Sequence, residues 1–232
     1  MQQSNFQGRV LFEDNHILVV NKKAGELVQP DTNGEESLED TLKEYIRANT
    51  GKTGNIYLGV IHRIDRPVSG AVMFAKSSKA LARLNKMIQN REISKTYWAI
   101  VCSKPPAKEQ TLVHYLKRIT TNNTTRVFDH EAKDALRAEL RYSFLAASDK
   151  YYLLEVNLIT GRHHQIRAQL SAMGMCIKGD LKYKAPRSNP DGSISLHARK
   201  LEFIHPVTNQ NIIITAPVPT DPLWTYFETN AG

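Results

Sequence analysis

Residues 58–75 read LGVIHRIDRPVSGAVMFA, two apolar runs of strand length with the charged segment HRIDRPVSG between them. The flanking runs belong in a core, and Pro67 and Gly70 turn the backbone sharply. The stretch therefore has to fold as strand, loop and strand, with an acid carried on the loop between two arginines. The cations of Arg63 and Arg66 favour the charged form of Asp65. A carboxylate so placed can be a nucleophile, a base or a structural anchor of the loop, and this stretch alone leaves all three open.

The 232 residues suffice for one domain, with a core over about 9–220 and two lobes that break near 103–110, where Pro105-Pro106 is followed by polar residues. No apolar run approaches the roughly 18 to 20 residues of a membrane span. The N-terminus MQQSNFQGRVLFEDNHILVV lacks the basic, apolar and small-residue regions of a signal peptide, so no membrane association or export is expected and the cytoplasm is the expected location. Cys102 and Cys176 lie far apart without C-x-x-C spacing, which favours reduced, buried thiols over a bridge. A net charge of +8 and a pI near 9.4 point to a polyanion, nucleic acid being the commonest. No G-x-G-x-x-G or P-loop pattern occurs, which argues against a nucleotide cofactor.

Two short strands are predicted over 9–21 around Glu13-Asp14-Asn15, and a loop from Gly25 to Glu36. Ser37 and Asp40 cap a helix over Ser37–Asn49, with Leu38, Leu42, Tyr45 and Ile46 on one face. Runs 56–61 and 70–75 flank the acidic loop. A second helix fits Ser78–Asn90; its apolar stripe is Ala80, Leu81, Leu84, Met87 and Ile88, and its other face carries Lys79, Arg83 and Lys86. Lys95–Cys102 is β-branched and aromatic, hence a strand. An antiparallel pair follows over 137–145 and 151–159. A third helix is predicted over Arg162–Ala172, stopped by Gly174, and a last hairpin turns through Thr208-Asn209-Gln210. Strands outnumber helices and most neighbours are antiparallel, so the class is α+β.

The segment TGRHHQIRAQ (160–169) sets two histidines side by side, but helical zinc sites want spacings such as i, i+4, and no Cys or carboxylate cluster accompanies them. No metal is expected. Arg162, in the first turn of the third helix, is placed to contact a phosphate. Arg167, mid-helix among apolar residues, needs a carboxylate partner if buried, and Asp65 is the candidate. In KTYWAIV (95–101), Tyr97 and Trp98 alternate along a strand, so one faces a groove beside the basic residues and the other, Trp98, goes to the core. Lys117, Arg118 and Arg126 form a further basic group, read as solvated surface.

These segments together resemble the RluA-type pseudouridine synthases over about Val10 to Pro217. NKKAGELVQP resembles the family's N-K-P-x-G-x-x-V-H-P, HRIDRPVSG its H-R-L-D-x-x-T-S-G, and KTYWAIV its K-x-Y strand. TGRHHQIRAQL resembles T-G-R-x-H-Q-I-R-x-H, and LHARKLEFIHP the closing L-H-A-x-x-L-x-F-x-H-P. The resemblance implies an α+β catalytic domain with a long, mostly antiparallel mixed sheet and helices flanking a basic cleft. It implies isomerisation of uridine to pseudouridine in ribosomal RNA or tRNA, without metal or organic cofactor. Asp65 would be the catalytic aspartate, Tyr97 would stack on the base, Arg167 would pair with Asp65, and Leu196 would line the pocket. Arg63, Arg66, Lys95 and Arg162 are the candidates for holding phosphates while a uridine flips out. Lys23, Gln29, Val68 and Gln169 depart from the family's proline, histidine, threonine and histidine, which bears on substrate choice. No obligate protein partner is implied, and a monomer is expected.

Two other readings compete. A synthase-like domain without catalysis would bind RNA and be indifferent to Asp65→Ala. A hydrolase of glycosidic or phosphodiester bonds would need a second carboxylate or a metal cluster, and the sequence offers neither in a recognisable motif.

Overall fold

In chain order the first elements are β1 (Val10–Glu13), β2 (Ile17–Lys22), α1 (Leu38–Thr50), β3 (Gly59–Val60), β4 (Ser69–Ala75) and α2 (Ser78–Gln89). Then come β5 (Ser94–Val101), β6 (Glu109–Ile119), β7 (Thr124–Phe128), β8 (Leu136–Ala147), β9 (Tyr152–Leu158) and α3 (Gln165–Ala172). A short 3-10 turn over Leu181–Tyr183, β10 (Leu196–Ile204), β11 (Asn211–Thr215) and α4 (Pro222–Asn230) complete the chain. The computed structural model describes Phe6 and residues 8–31, 34–51 and 53–231. Strands dominate and most pair antiparallel, so the α+β class is the class observed.

The chain forms two compact units, Met1–Ile93 with Lys200–Pro217, and Ser94–Arg199 with Val218–Gly232. The division thus falls at Ile93/Ser94 and not near 103–110. Pro105-Pro106 sits in a loop between β5 and β6, inside the second unit, because β6 returns to pair with β8.

In the first unit β2 pairs with β1 and with β4, and β3 also pairs with β4. β4 is buried along its whole length, which is why its sequence is a continuous apolar run with no alternation. Ile17, Val19, Met73, Ala80, Leu84 and Met87 share one core with Leu201 and Phe203. Ser37 caps α1 in a capping box with Asp40, and Ser77 caps α2.

In the second unit β5, β9, β8, β6 and β7 form consecutive antiparallel pairs, and α3 packs on β6 and β7. Trp98 joins a core with Ile100, Leu153, Trp224 and Phe227 as expected, but β5 is buried without alternation from Thr96 to Val101, so Tyr97 is buried as well. The third helix begins at Gln165 and not at Arg162. His164 takes a left-handed conformation at φ 50°, and the Gln165 side chain accepts from the Arg162 N–H at 3.0 Å and from the Thr160 hydroxyl at 2.8 Å. Those bonds hold 160–164 as a turn, so Arg162 precedes the helix and the helix-terminus argument for it falls.

Candidate active site

The residues singled out from sequence divide between the units. Arg63, Asp65 and Arg66 lie on the β3–β4 loop of the first; Lys95, Tyr97, Arg162, Arg167 and Leu196 belong to the second.

The acidic loop is held from beneath by a lysine. Lys22, at the end of β2 and 1% exposed, sends its ammonium to three backbone carbonyls: Lys23 at 2.9 Å, Arg66 at 3.1 Å and Val68 at 2.8 Å. All three donors of the ammonium are used, and two of the acceptors, Arg66 and Val68, follow Asp65 on the same loop. Burial brings the Lys22 pKa down to about 8, opposed in part by the charges of Glu26 and Asp65. The Val68 N–H closes the turn onto the Asp65 carbonyl at 3.0 Å, and the buried side chains of Ile64 and Val68 anchor it below. Asp65 itself is half-buried. Arg66 is committed elsewhere: it pairs with Glu35 at 2.8 Å and donates to the Gly25 carbonyl at 3.0 Å. Arg63 is exposed and reaches Gln29 at 3.5 Å.

Two departures from the family pattern acquire physical readings here. Lys23 donates its backbone N–H to Glu26 at 2.8 Å, a bond that a proline in that position has no N–H to make. Gln169 is wholly buried and its amide nitrogen donates to Nδ1 of His114 at 2.9 Å, so it belongs to the core between α3 and β6.

In the second unit Tyr97 is buried on β5 opposite Val156, and Leu196 is buried at the start of β10. Arg167 is 4% exposed and forms a bidentate pair with Asp180, Nε to Oδ2 at 2.7 Å and Nη2 to Oδ1 at 2.9 Å. Its guanidinium carbon lies 5.1 Å from the Tyr183 ring centroid. The carboxylate that Arg167 needs within its own unit is therefore Asp180, a residue the sequence did not mark. The Tyr183 hydroxyl accepts from the Thr125 N–H at 2.8 Å and sits 2.9 Å from Nδ1 of His164. Both neighbouring histidines thus serve as struts around α3: His163 meets the Thr125 hydroxyl at 2.9 Å.

Lys95 is half-buried, and burial lowers its pKa. Its Nζ lies 3.5 Å from where a side chain on Gly161 would begin, one residue from Arg162, whose Nε donates to the Arg137 carbonyl at 3.3 Å. Two of the candidate phosphate-holding cations, Lys95 and Arg162, therefore gather just ahead of α3. Lys22, Asp180 and Tyr183 are the residues that sequence reasoning missed. Only Lys22 left a trace, as a charge closing the apolar run ILVVN.

The first unit thus carries a half-buried carboxylate on a pinned loop, and the second carries an aromatic on a buried strand and an arginine held by two bonds to one carboxylate. Comparison with known proteins gives the family. The RNA pseudouridylate synthase family model matches residues 16–172, more than half of the chain, and the chain belongs to that family. It is an RNA pseudouridine synthase, an isomerase. The uncharacterized RNA pseudouridine synthase YhcT of Bacillus subtilis is 32% identical over 212 residues, 91% of this chain and 69% of that one. The ribosomal large subunit pseudouridine synthase D of Zymomonas mobilis is 30% identical over 222 residues, with 91% and 69% covered. The fold is that of human RNA pseudouridylate synthase domain containing 4, with a TM-score of 0.79 at 21% identity over 97% of this chain and 94% of that chain.

Proposed function

We propose that the protein isomerises specific uridines in structured RNA, with Asp65 as the catalytic aspartate. The observation that carries the assignment is the loop itself: a half-buried carboxylate on a backbone that a buried ammonium holds by two carbonyls, those of Arg66 and Val68. Such anchoring presents the acid in one position at the moment of reaction. The isomerisation breaks the N1–C1′ bond, turns the uracil and joins C5 to C1′; a proton leaves C5 and N1 gains one, so no atom enters or is lost. Neither metal nor organic cofactor is required by that balance. Tyr97 stacks on the base and keeps the detached uracil in place, Leu196 lines the pocket, and Arg167 is the cation that balances the charge of the reacting acid. Uridine in a duplex or a folded loop is stacked, so it flips out to react. Lys95 and Arg162 hold phosphates beside it, with Arg63; Arg66, already paired with Glu35, has a smaller share.

Ribosomal RNA is the first substrate to test, because relatives in Zymomonas mobilis and Xylella fastidiosa carry that role in their names; tRNA is the second. The protein is taken to act as a monomer in the cytoplasm. The test is pseudouridine mapping, by carbodiimide adducts and primer-extension stops, on total RNA from cells with and without the gene. A stop should vanish with the gene and return with the wild type but not with Asp65→Ala. Equal restoration by Asp65→Ala would overturn the catalytic assignment.

A further inference from the structure

We infer that the outer face of α2 is a docking surface for the phosphate backbone of double-stranded RNA. This rests on the protein's acting on RNA, but on none of the residues assigned to the chemistry. The buried stripe of α2, Ala80, Leu84 and Met87, packs toward β3 and β4. Lys79, Arg83 and Lys86 are exposed on the opposite face at spacings of four and three, one row on a helix. With a rise of 1.5 Å per residue the row is about 10 Å long.

Comparison with α1 shows what is unusual. There Glu39 pairs with Lys43 at 2.6 Å, Glu44 pairs with Arg47, and Glu39 and Asp40 occupy the first turn, where the helix dipole favours acids. α2 has no acid in its first turn and instead places Lys79 there, at the end of the helix that repels a cation. Among the described residues none of the three cations has an acidic partner. Arg83 leans one nitrogen on the Pro206 carbonyl at 3.3 Å, and the nearest acid in sequence, Glu92, lies beyond the helix and accepts from Asn90. A face that is basic along its length, with its first cation set against the helix dipole and no acid paired to any of the three, is built to meet anions.

The kind of anion follows from what the row lacks. Its exposed neighbours on the helix and at its end are Ser78, Ala82, Gln89 and Asn90, none of them an aromatic on which an unpaired base could stack. A straight row of cations without stacking groups reads phosphates and shape, which is how duplex RNA is recognised.

The experiment measures binding of an end-labelled 20-base-pair RNA duplex, its single strand, and vesicles of phosphatidylserine and phosphatidylcholine, across salt. The proteins are the wild type, the triple variant Lys79→Gln/Arg83→Gln/Lys86→Gln, and the control Lys43→Gln/Arg47→Gln. The triple variant should bind the duplex about tenfold more weakly, and its slope of log K against log salt should be smaller by about 2 to 3, one counterion per lost contact. The control should match the wild type on both counts, and thermal melts should show all three folded. Wild-type slope and affinity in the triple variant would overturn the inference. So would equal losses in the control, a wild type that ignores the duplex, or a loss confined to single strands or to vesicles. If the duplex result holds while no RNA gains pseudouridine, the enzymatic reading fails and this surface stands. If pseudouridine forms and the row proves immaterial, the reverse is true.

Discussion

Lys22 carries a conflict at a single residue. A buried ammonium loses its hydration, and three carbonyls return only part of it, so its pKa falls from 10.5 to about 8. Below pH 8 the lysine is charged in both the folded and unfolded chains, and folding bears the whole cost, on the order of 3 kcal/mol. Between 8 and 10.5 the unfolded chain binds the extra proton, so stability from this group rises with pH and the cost is gone above 10.5. Urea unfolding of wild type and Lys22→Met at pH 7 and 9.5 isolates the effect, since other titrations cancel in the difference. The wild type should gain about 2 kcal/mol on the variant between the two pH values. Parallel behaviour would mean that Lys22 is not desolvated as its burial implies. The sequence identified the acid on the loop and missed the lysine beneath it, because a charge ending a strand ordinarily points to solvent. Only pairing of β2 with β4 turns it under the loop.

At the scale of elements, α3 and the turn after it form one clamp. Gly179, at φ +89°, has no room for a side chain: a Cβ there would lie 2.7 Å from the Ser193 carbonyl and 2.8 Å from the Asn189 side chain. That close approach sets Asp180 against Arg167 from one side while Tyr183 covers the guanidinium from the other. Asp180→Ala leaves a buried guanidinium without this partner and should cost about 3–5 kcal/mol in denaturant unfolding. Tyr183→Phe keeps the ring over Arg167 but orphans the Thr125 N–H, and about 1–3 kcal/mol should go. An equal cost for the two would show that the ion pair is not what holds the clamp. Legibility of elements followed how local their determinants are. α1 and α2 announce themselves through Ser37, Asp40 and their apolar stripes. The start of α3 depends on Gln165 reaching back to Thr160 and Arg162, and periodicity does not register that. β6 went unread although Leu112, His114 and Leu116 alternate inward, because the Pro105-Pro106 pair and the charged residues around it read as a break.

On the scale of the whole molecule, neither unit is a continuous piece of chain. The first is completed by Lys200–Pro217 and the second by Val218–Gly232. α4 therefore returns to residues laid down more than a hundred positions earlier. Asp221 caps it by accepting from Leu223 and Trp224 N–H groups, with Pro222 opening the first turn, a start signal present in the sequence but silent about where the helix would pack. Trp224 and Phe227 close the core of Trp98, Ile100 and Leu153, and Glu228 pairs with Arg199 at 2.8 Å. The family match ends at residue 172, so a chain cut after Pro217 would keep every motif and both ends of the last hairpin. It would also leave Trp98 on β5, one residue from Tyr97, with its packing stripped on one side. Trp224→Ala should lower unfolding free energy by about 3–5 kcal/mol, and removal of residues 218–232 should do more, giving a broad transition and binding of a hydrophobic dye. An unchanged urea midpoint for the truncated chain would mean that the second unit closes without α4. The burial of Phe227 at 0% exposure argues against that outcome, since losing its ring uncovers the apolar surface of the core it packs on, at a cost in free energy.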